Sequence, residues 1–248
     1  MKPGPDPSFP YLDASKHFQF PPSNEWKGNI ISIGGNLSPG LLLSAYEQGI
    51  FPWYGPKNPV LWQSPDPRCV IFPDKLHVSD SMKKILKKNV YKITYDEDFN
   101  GVIRGCADTK RPRRNKVAKF LYKLFAKFKL FPKLLSSGTW VTNDIIEAYT
   151  ELHRLGWAHS AEAWLDGELV GGCYGILLGR IFCGESMFAK APNASKAAFL
   201  SFAKLLFDHG VACVDCQVPS DYLMSLGGEE MSRKEFLELI KMLRVFRY

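Results

Sequence analysis

The sequence predicts an α+β fold, a sheet of hairpin strands flanked by helices. Two observations carry that reading. Asp166-Gly167 joins the apolar-rich runs 159–164 and 168–174 as a favoured two-residue hairpin turn. Segments of helical period, several with cap residues of their own, alternate with short strand-like runs along the chain. At 248 residues and 46% hydrophobic, the chain suffices for a sizeable core in one large domain or two modest ones.

Taken in order, residues 1–28 are irregular and rich in proline. The run 30–33 reads as a short strand ending at Gly34-Gly35. Ser38-Pro39 opens a helix to about Gln48, with Ser as N-cap, Pro at the first position and Gly49 as the stop. The segment 50–68 is loop-like and crowded with aromatics, which form either a small core or a stacking platform for bases. Residues 69–72 read as a strand, 79–88 as a basic amphipathic helix, 91–95 as a strand and 99–107 as a helix. Thr142 caps a helix that runs to about Leu155 and stops at Gly156. After the hairpin, Gly179 leads into a strand from Ile181. Asn193 or Ser195 opens a helix to about His209, and 211–218 is a strand. Ser232 and Glu235 form a capping box for a final helix, 232–246.

The formal charge is +7, from 32 basic and 25 acidic residues. Ten of the basic residues lie between Lys110 and Lys133, where no acid occurs, which leaves the remainder at 22 against 25, a net of −3. Within this stretch Val117, Leu121, Leu124 and Phe128 recur on one helical face, and Lys116, Lys119, Lys123 and Lys127 on another. Such a helix suits an RNA backbone or an anionic membrane surface, or else it packs on the domain with a solvated lysine face. No apolar run is long enough to span a bilayer, and the first residues lack a signal-peptide core, so the expected location is cytoplasmic with reduced thiols. Cys213-x-x-Cys216 falls on a strand, where residues three apart face opposite ways. It reads as core cysteines rather than a metal or redox motif. His153 and His159 read as structural, and no metal or cofactor is expected.

Three polar residues interrupt apolar strands. Ile181, Cys183, Glu185 and Met187 share one face of an extended strand. A carboxylate buried among them needs a cation, and none lies on that strand. The partner is either a ligand cation or a distant Arg. Cys213, Asp215 and Gln217 share a face of another strand, where a carboxylate and an amide could orient a reacting amine or merely support a turn. Gly184-Glu185-Ser186-Met187 lacks the final glycine of a hydrolase nucleophile elbow.

The strings AYEQGIFPWY at 45–54, LWQSPDPR at 61–68, GTWVT at 138–142, FCGESMF at 182–188, NASK at 193–196, DCQV at 215–218 and SLGG at 225–228 stand in one register. Together they resemble the bacterial leucyl/phenylalanyl-tRNA–protein transferases. The resemblance implies a small N-terminal α/β domain, 1–66, and a catalytic domain like the GNAT acyltransferases, 67–248, here carrying a basic helical insertion at about 110–135. It implies transfer of leucine, phenylalanine or methionine from aminoacyl-tRNA to proteins with N-terminal Arg or Lys, marking them for degradation. It places the acceptor's cation at Glu185 and the reaction at Asp215 and Gln217. In one scheme Asp215 polarises Gln217 to deprotonate the amine; in another a tRNA hydroxyl shuttles the proton. Tyr46, Trp53 and Trp140 match positions around the aminoacyl-adenosine. Cys173, Phe182, Phe199, Phe202 and Val214 match the amino-acid pocket, where Cys173 and Phe199 replace the Met and Leu of well-known relatives. The four lysines 116, 119, 123 and 127 are candidates for the tRNA backbone.

Two other readings compete. An acetyl-CoA-dependent acetyltransferase needs a Gly-rich pyrophosphate loop, which Asn193-Ala194-Ser195-Lys196 does not supply. A non-catalytic RNA or membrane-surface binder leaves Glu185, Asp215 and Gln217 unexplained.

Overall fold

The computed structural model describes residues 2–108 and 140–243. After the proline-rich arm come β1 (Ile30–Ile33), α1 (Pro39–Glu47), β2 (Phe51–Pro52) and β3 (Leu61–Gln63). These three strands pair antiparallel in the order β1-β3-β2. The segment expected as loop therefore contains two short strands. Its aromatics Phe51, Tyr54 and Trp62 are buried in the core. Ser38 holds the N-cap position of α1 without capping it: its hydroxyl donates to Asn36 Oδ1 instead. Gly49 ends α1 at φ +73°, and a Cβ there would stand 2.5 Å from Leu237. Both the left-handed backbone and the close approach require glycine.

The larger sheet is built from β4 (Arg68–Ile71), β5 (Lys92–Tyr95), β6 (Ala158–Leu165), β7 (Glu168–Leu178), β8 (Ile181–Ala189), β9 (Cys213–Gln217) and β10 (Glu229–Met231). Its order is β10-β4-β9-β8-β7-β6-β5. All neighbours are antiparallel except β8 and β9. A parallel pair cannot be joined by a tight turn, and α5 (Ala194–Asp208) makes the crossover. The other α-helices among the described residues are α2 (Asp80–Lys87), α3 (Phe99–Asp108), α4 (Asn143–Arg154), α6 (Asp221–Met224) and α7 (Arg233–Leu243). Asp166 and Gly167 both take positive φ, as the β6–β7 hairpin demands. Thr142 accepts from Ile145 N–H to cap α4, and the Ser232–Glu235 box forms in both directions. The short α6 and β10 carried no clear sequence signal. The expected basic helix lies outside the described residues.

Two apolar clusters cover the two faces of the large sheet. One joins α1, the small sheet, α3, α4 and α7 to Val70, Tyr174, Ile181, Cys183 and Cys213. The other joins α5 and Met82 of α2 to Ile71, Cys173, Phe182 and Val214. A bulge sets which side chain faces which cluster. Tyr174 pairs with Ser186 but Gly175 pairs with Gly184, so Glu185 is the extra residue on β8. Ile181 and Cys183 face the first cluster, as expected, and Glu185 reaches Tyr149 within it. Met187 then packs on the second cluster and Phe188 on the first. The expectation that Met187 shares the face of Glu185 is corrected by that one inserted residue.

Helix α5 seats on β7 because Gly171 has no side chain: a Cβ there would lie 2.6 Å from the Cβ of Ala194 and 2.8 Å from its carbonyl carbon. Gly171→Val is expected to cost about 1–3 kcal/mol by overpacking. Urea unfolding measures it, and an unchanged midpoint would show that α5 is not held at this contact.

Candidate active site

Arg68 and Asp215 are the most deeply buried charges at the site, 1% and 0% exposed. They form a forked pair, Nε to Oδ1 at 2.8 Å and Nη2 to Oδ2 at 2.6 Å. Arg68 Nη1 donates to the carbonyl of Gly49 at 3.2 Å. Its guanidinium carbon lies 5.0 Å from the Phe51 ring centre and 4.3 Å from that of Phe236. Burial works against the cation, but Asp215 outweighs it, so the Arg68 pKa moves up. The remaining capacity of Asp215 Oδ1 goes to the backbone N–H of Gln217 at 2.9 Å. Gln217 has φ +62°, a conformation that this bond and the β4–β9 bulge hold in place.

The parallel ladder of β8 and β9 ends at Cys183 opposite Asp215. Two residues further along each strand stand Glu185 and Gln217, on the same face, so their side chains meet. Gln217 Nε2 donates to Glu185 Oε1 at 2.8 Å. Tyr149 OH donates to Glu185 Oε2 at 3.3 Å. Tyr46 OH hydrogen-bonds Tyr149 OH and also supports Glu185. Glu185 is 8% exposed, and among the described residues no salt bridge reaches it. Desolvation pushes its pKa up to about 7, against the hydrogen bonds from Tyr46, Tyr149 and Gln217 and with the help of the Asp215 charge. Burial likewise pushes the Tyr46 and Tyr149 phenols well up, with Glu185 adding to it, so both act as donors. Beside them the Tyr174 hydroxyl is buried with no hydrogen-bond partner among the described residues.

Asp215, Gln217 and Glu185 thus converge. The Asp215 carboxylate bonds the Gln217 backbone rather than its side chain. It holds the Gln217 backbone, while the Gln217 side-chain amide meets Glu185. Tyr46 is 2% exposed, with its ring in the core and its hydroxyl at the Glu185 network. Trp53 and Trp140 are half-buried against the same core cluster. Cys173, Phe182, Phe199, Phe202 and Val214 gather in the second cluster, all 5% exposed or less. Phe182 and Phe202 meet edge to face at 5.1 Å, with Tyr95 against Phe202 at 5.6 Å. Lys116, Lys119, Lys123 and Lys127 lie outside the described residues. Cys213 and Cys216 pack on opposite clusters, and among the described residues no three His, Cys, Asp or Glu side chains gather to hold a metal.

The family model of the leucyl/phenylalanyl-tRNA protein transferases matches residues 70–130 and 131–241, and that of their N-terminal domain matches 35–66. The chain belongs to this family of aminoacyltransferases. A leucyl/phenylalanyl-tRNA–protein transferase of Saccharophagus degradans is 44% identical over 90% of this chain and 83% of its own length. One of Syntrophobacter fumaroxidans is 43% identical over 93% and 90%. One of Escherichia coli is 43% identical over 88% and 82%. Among solved structures, a GCN5-related N-acetyltransferase of Kribbella flavida overlaps 79% of this chain and 62% of its own, at 10% identity and a TM-score of 0.33, a slight likeness.

Sequence reasoning missed Arg68 and Tyr149. Arg68 ends the proline-rich string 61–68, where nothing marks it as buried; its partner is 147 residues away. Tyr149 carries a weak signal, falling on the apolar face of α4 with a hydroxyl that needs a partner.

Removing Arg68 leaves a buried carboxylate without a cation. Arg68→Met is expected to destabilise the protein by about 3–5 kcal/mol, and Arg68→Met with Asp215→Leu to regain most of that. Denaturant unfolding of the single and double variants decides it. A double variant as unstable as the single one would show that the packing of Arg68 on Phe51 and Phe236 matters more than the charge.

Proposed function

We propose that this transferase moves leucine, phenylalanine or methionine from aminoacyl-tRNA to the α-amine of proteins that begin with Arg or Lys. The observation that supports it is Glu185: a buried carboxylate, supported by neutral donors and left without a cation. A guanidinium or ammonium of the acceptor would complete it, with the Tyr174 hydroxyl as a further acceptor of its N–H groups. The α-amine then stands near Gln217, whose side-chain N–H is held by Glu185 and whose carbonyl oxygen, with no hydrogen bond among the described residues, can accept an amine N–H. The amine nitrogen attacks the ester carbonyl. The new C–N bond forms as the C–O bond to the terminal ribose breaks. The ribose oxygen leaves with the proton that the amine loses. A neutral amide is a very weak base, so Gln217 orients the amine, and a tRNA hydroxyl suits the proton transfer better. Arg68 and Asp215 hold Gln217 in place.

The pocket of Cys173, Phe182, Phe199, Phe202 and Val214 would take the amino-acid side chain, with Trp53 and Trp140 towards the adenosine and Tyr46 beneath Glu185. The division at residue 66, the GNAT-like arrangement of the larger unit and a cytoplasmic location are parts of the same proposal. Among the described residues, no helix is long and apolar enough to cross a membrane.

The acceptor's cation favours the ionised carboxylate. With the Glu185 pKa raised to about 7, KM for Arg- and Lys-initiated peptides should rise as pH falls below that value, and acceptor binding near pH 7 should release a proton. Glu185→Gln should lower kcat/KM for these peptides by about 2–3 kcal/mol and flatten the pH dependence, leaving KM for aminoacyl-tRNA in place. An equal loss towards both substrates would remove Glu185 from the acceptor site.

The ten basic residues between Lys110 and Lys133 are proposed to meet tRNA phosphates. Replacing Lys116, Lys119, Lys123 and Lys127 with Gln should weaken tRNA binding and flatten its salt dependence by somewhat under one unit of slope per lost contact. Titration with tRNA over a salt series tests it. Parallel lines of equal affinity would assign the segment elsewhere.

A further inference from the structure

Behind the reacting face, on the other side of the same two strands, lie Cys69 and Cys216. Cys69 stands opposite Gln217 and Val70 opposite Asp215, so Cys216 is the extra residue of a bulge and also lies opposite Cys69. Val70 faces the first core cluster and Ile71 the second. Alternation turns Cys69 to the second face, where Cys216 also packs. The residue paired with Cys69 is Gln217, at the Cα spacing of an antiparallel pair, about 4.5–5.5 Å, with Cys216 next to it. The Cys69 and Cys216 side chains hydrogen-bond each other, which brings the two sulfurs together. Both thiols are free; Cys69 is buried and Cys216 partly exposed. We infer that Cys69 and Cys216 are a modification site, oxidised by hydroperoxides to a disulfide that slows the transfer reaction.

The chemistry balances with hydrogen peroxide as oxidant. Cys69, the thiol that the hydrogen bond from Cys216 holds below its usual range, gives its proton to water and attacks one peroxide oxygen. The O–O bond breaks, leaving a sulfenic acid and one water. The Cys216 sulfur then attacks the Cys69 sulfur, the S–S bond forms, and hydroxide leaves with the Cys216 proton as a second water. Two thiols are oxidised by two electrons and one peroxide is reduced. The thiol pair is primed for the first step: the hydrogen bond from Cys216 holds the Cys69 thiol below its usual range, and the same bond together with burial pushes Cys216 up. The effect on the reaction follows from position. Cys69 adjoins Arg68 and Cys216 lies between Asp215 and Gln217. Drawing the two sulfurs to bonding distance shifts the backbone that aims the Gln217 amide, and displacements of about 1 Å at a reacting group cost up to about 100-fold.

The full chain is treated with hydrogen peroxide, alkylated and digested without reductant, with transfer activity followed in parallel. The expected result is a Cys69–Cys216 linked peptide, a loss of turnover on the order of tenfold, and recovery of both with dithiothreitol. Each variant is compared with its own untreated rate, and Cys216→Ala and Cys69→Ala should lose the reversible inhibition. Links through other cysteines, both thiols remaining open to alkylation, or the linked peptide with unchanged turnover would each overturn the inference. The linked peptide is read independently of any substrate, so its absence is distinct from failure of the substrate assignment.

Discussion

The buried pair of Arg68 and Asp215 fixes everything else at the site. It joins parts of the chain that have no covalent reason to meet. Arg68 leads the first strand of the large sheet, takes the Gly49 carbonyl at the end of α1, and lies between Phe51 of the small sheet and Phe236 of α7. Asp215 holds the backbone of Gln217 in a left-handed conformation. Two charges so fully removed from water are favourable only when every donor and acceptor finds a partner. Here the fork, the Gly49 carbonyl and the Gln217 N–H give a partner to each of the three guanidinium nitrogens and to both carboxylate oxygens. A hydrophobic pair of similar volume would hold the strands together equally well but could not orient Gln217. The ion pair is therefore best understood as geometry for the amide.

Glu185 is arranged in the opposite way. Its hydrogen bonds come from two phenols and an amide, none of them charged. An acid whose folded pKa lies above its unfolded value binds more protons folded than unfolded, so stability falls as pH rises between about 4.5 and 7. Above that window the protein holds a carboxylate that burial disfavours. On the proposed function a cationic acceptor would relieve this, so that part of the site's recognition energy is held as native-state cost. The neighbouring Arg68 cannot relieve it because Asp215 already occupies its fork.

Much of the fold was legible because local chemistry announced it. Asp166-Gly167, the Thr142 cap and the Ser232–Glu235 box each formed as their residue types require. Glu185 was legible as a carboxylate without a local cation, a deficit that can be read from one strand. The family strings placed Asp215 and Gln217. Three things were not legible. Ser38 bonds Asn36 rather than the helix, a competition between two neighbouring polar side chains that leaves no mark in the sequence. The bulge at Glu185 is a pairing fault between strands, invisible until both are aligned, and it moved Met187 to the other face. Arg68 looked like a loop residue because its burial depends on Asp215, far along the chain.

The bulge also explains why the site lies where it does. Ideal pairing of β7 with β8 would continue the alternation through Met187 and bring that apolar side chain to the face shared by Tyr149 and Tyr174. The inserted residue ends the alternation at Glu185. Its carboxylate is the last side chain that β8 sends to the reacting face in phase with Ile181 and Cys183, and Met187 returns to the side of Cys173 and Phe182. One extra residue thus supplies a carboxylate to one face and an apolar side chain to the other. Because β8 and β9 run parallel and their ladder stops at Cys183 and Asp215, the next residues on that face, Glu185 and Gln217, point into the same space from two strands. The polar Glu185–Gln217 cluster and the apolar cluster of Cys173, Phe182 and Val214 lie back to back across the end of one strand pair, which is where the proposed joining of a cationic amine to an apolar acyl group would need them.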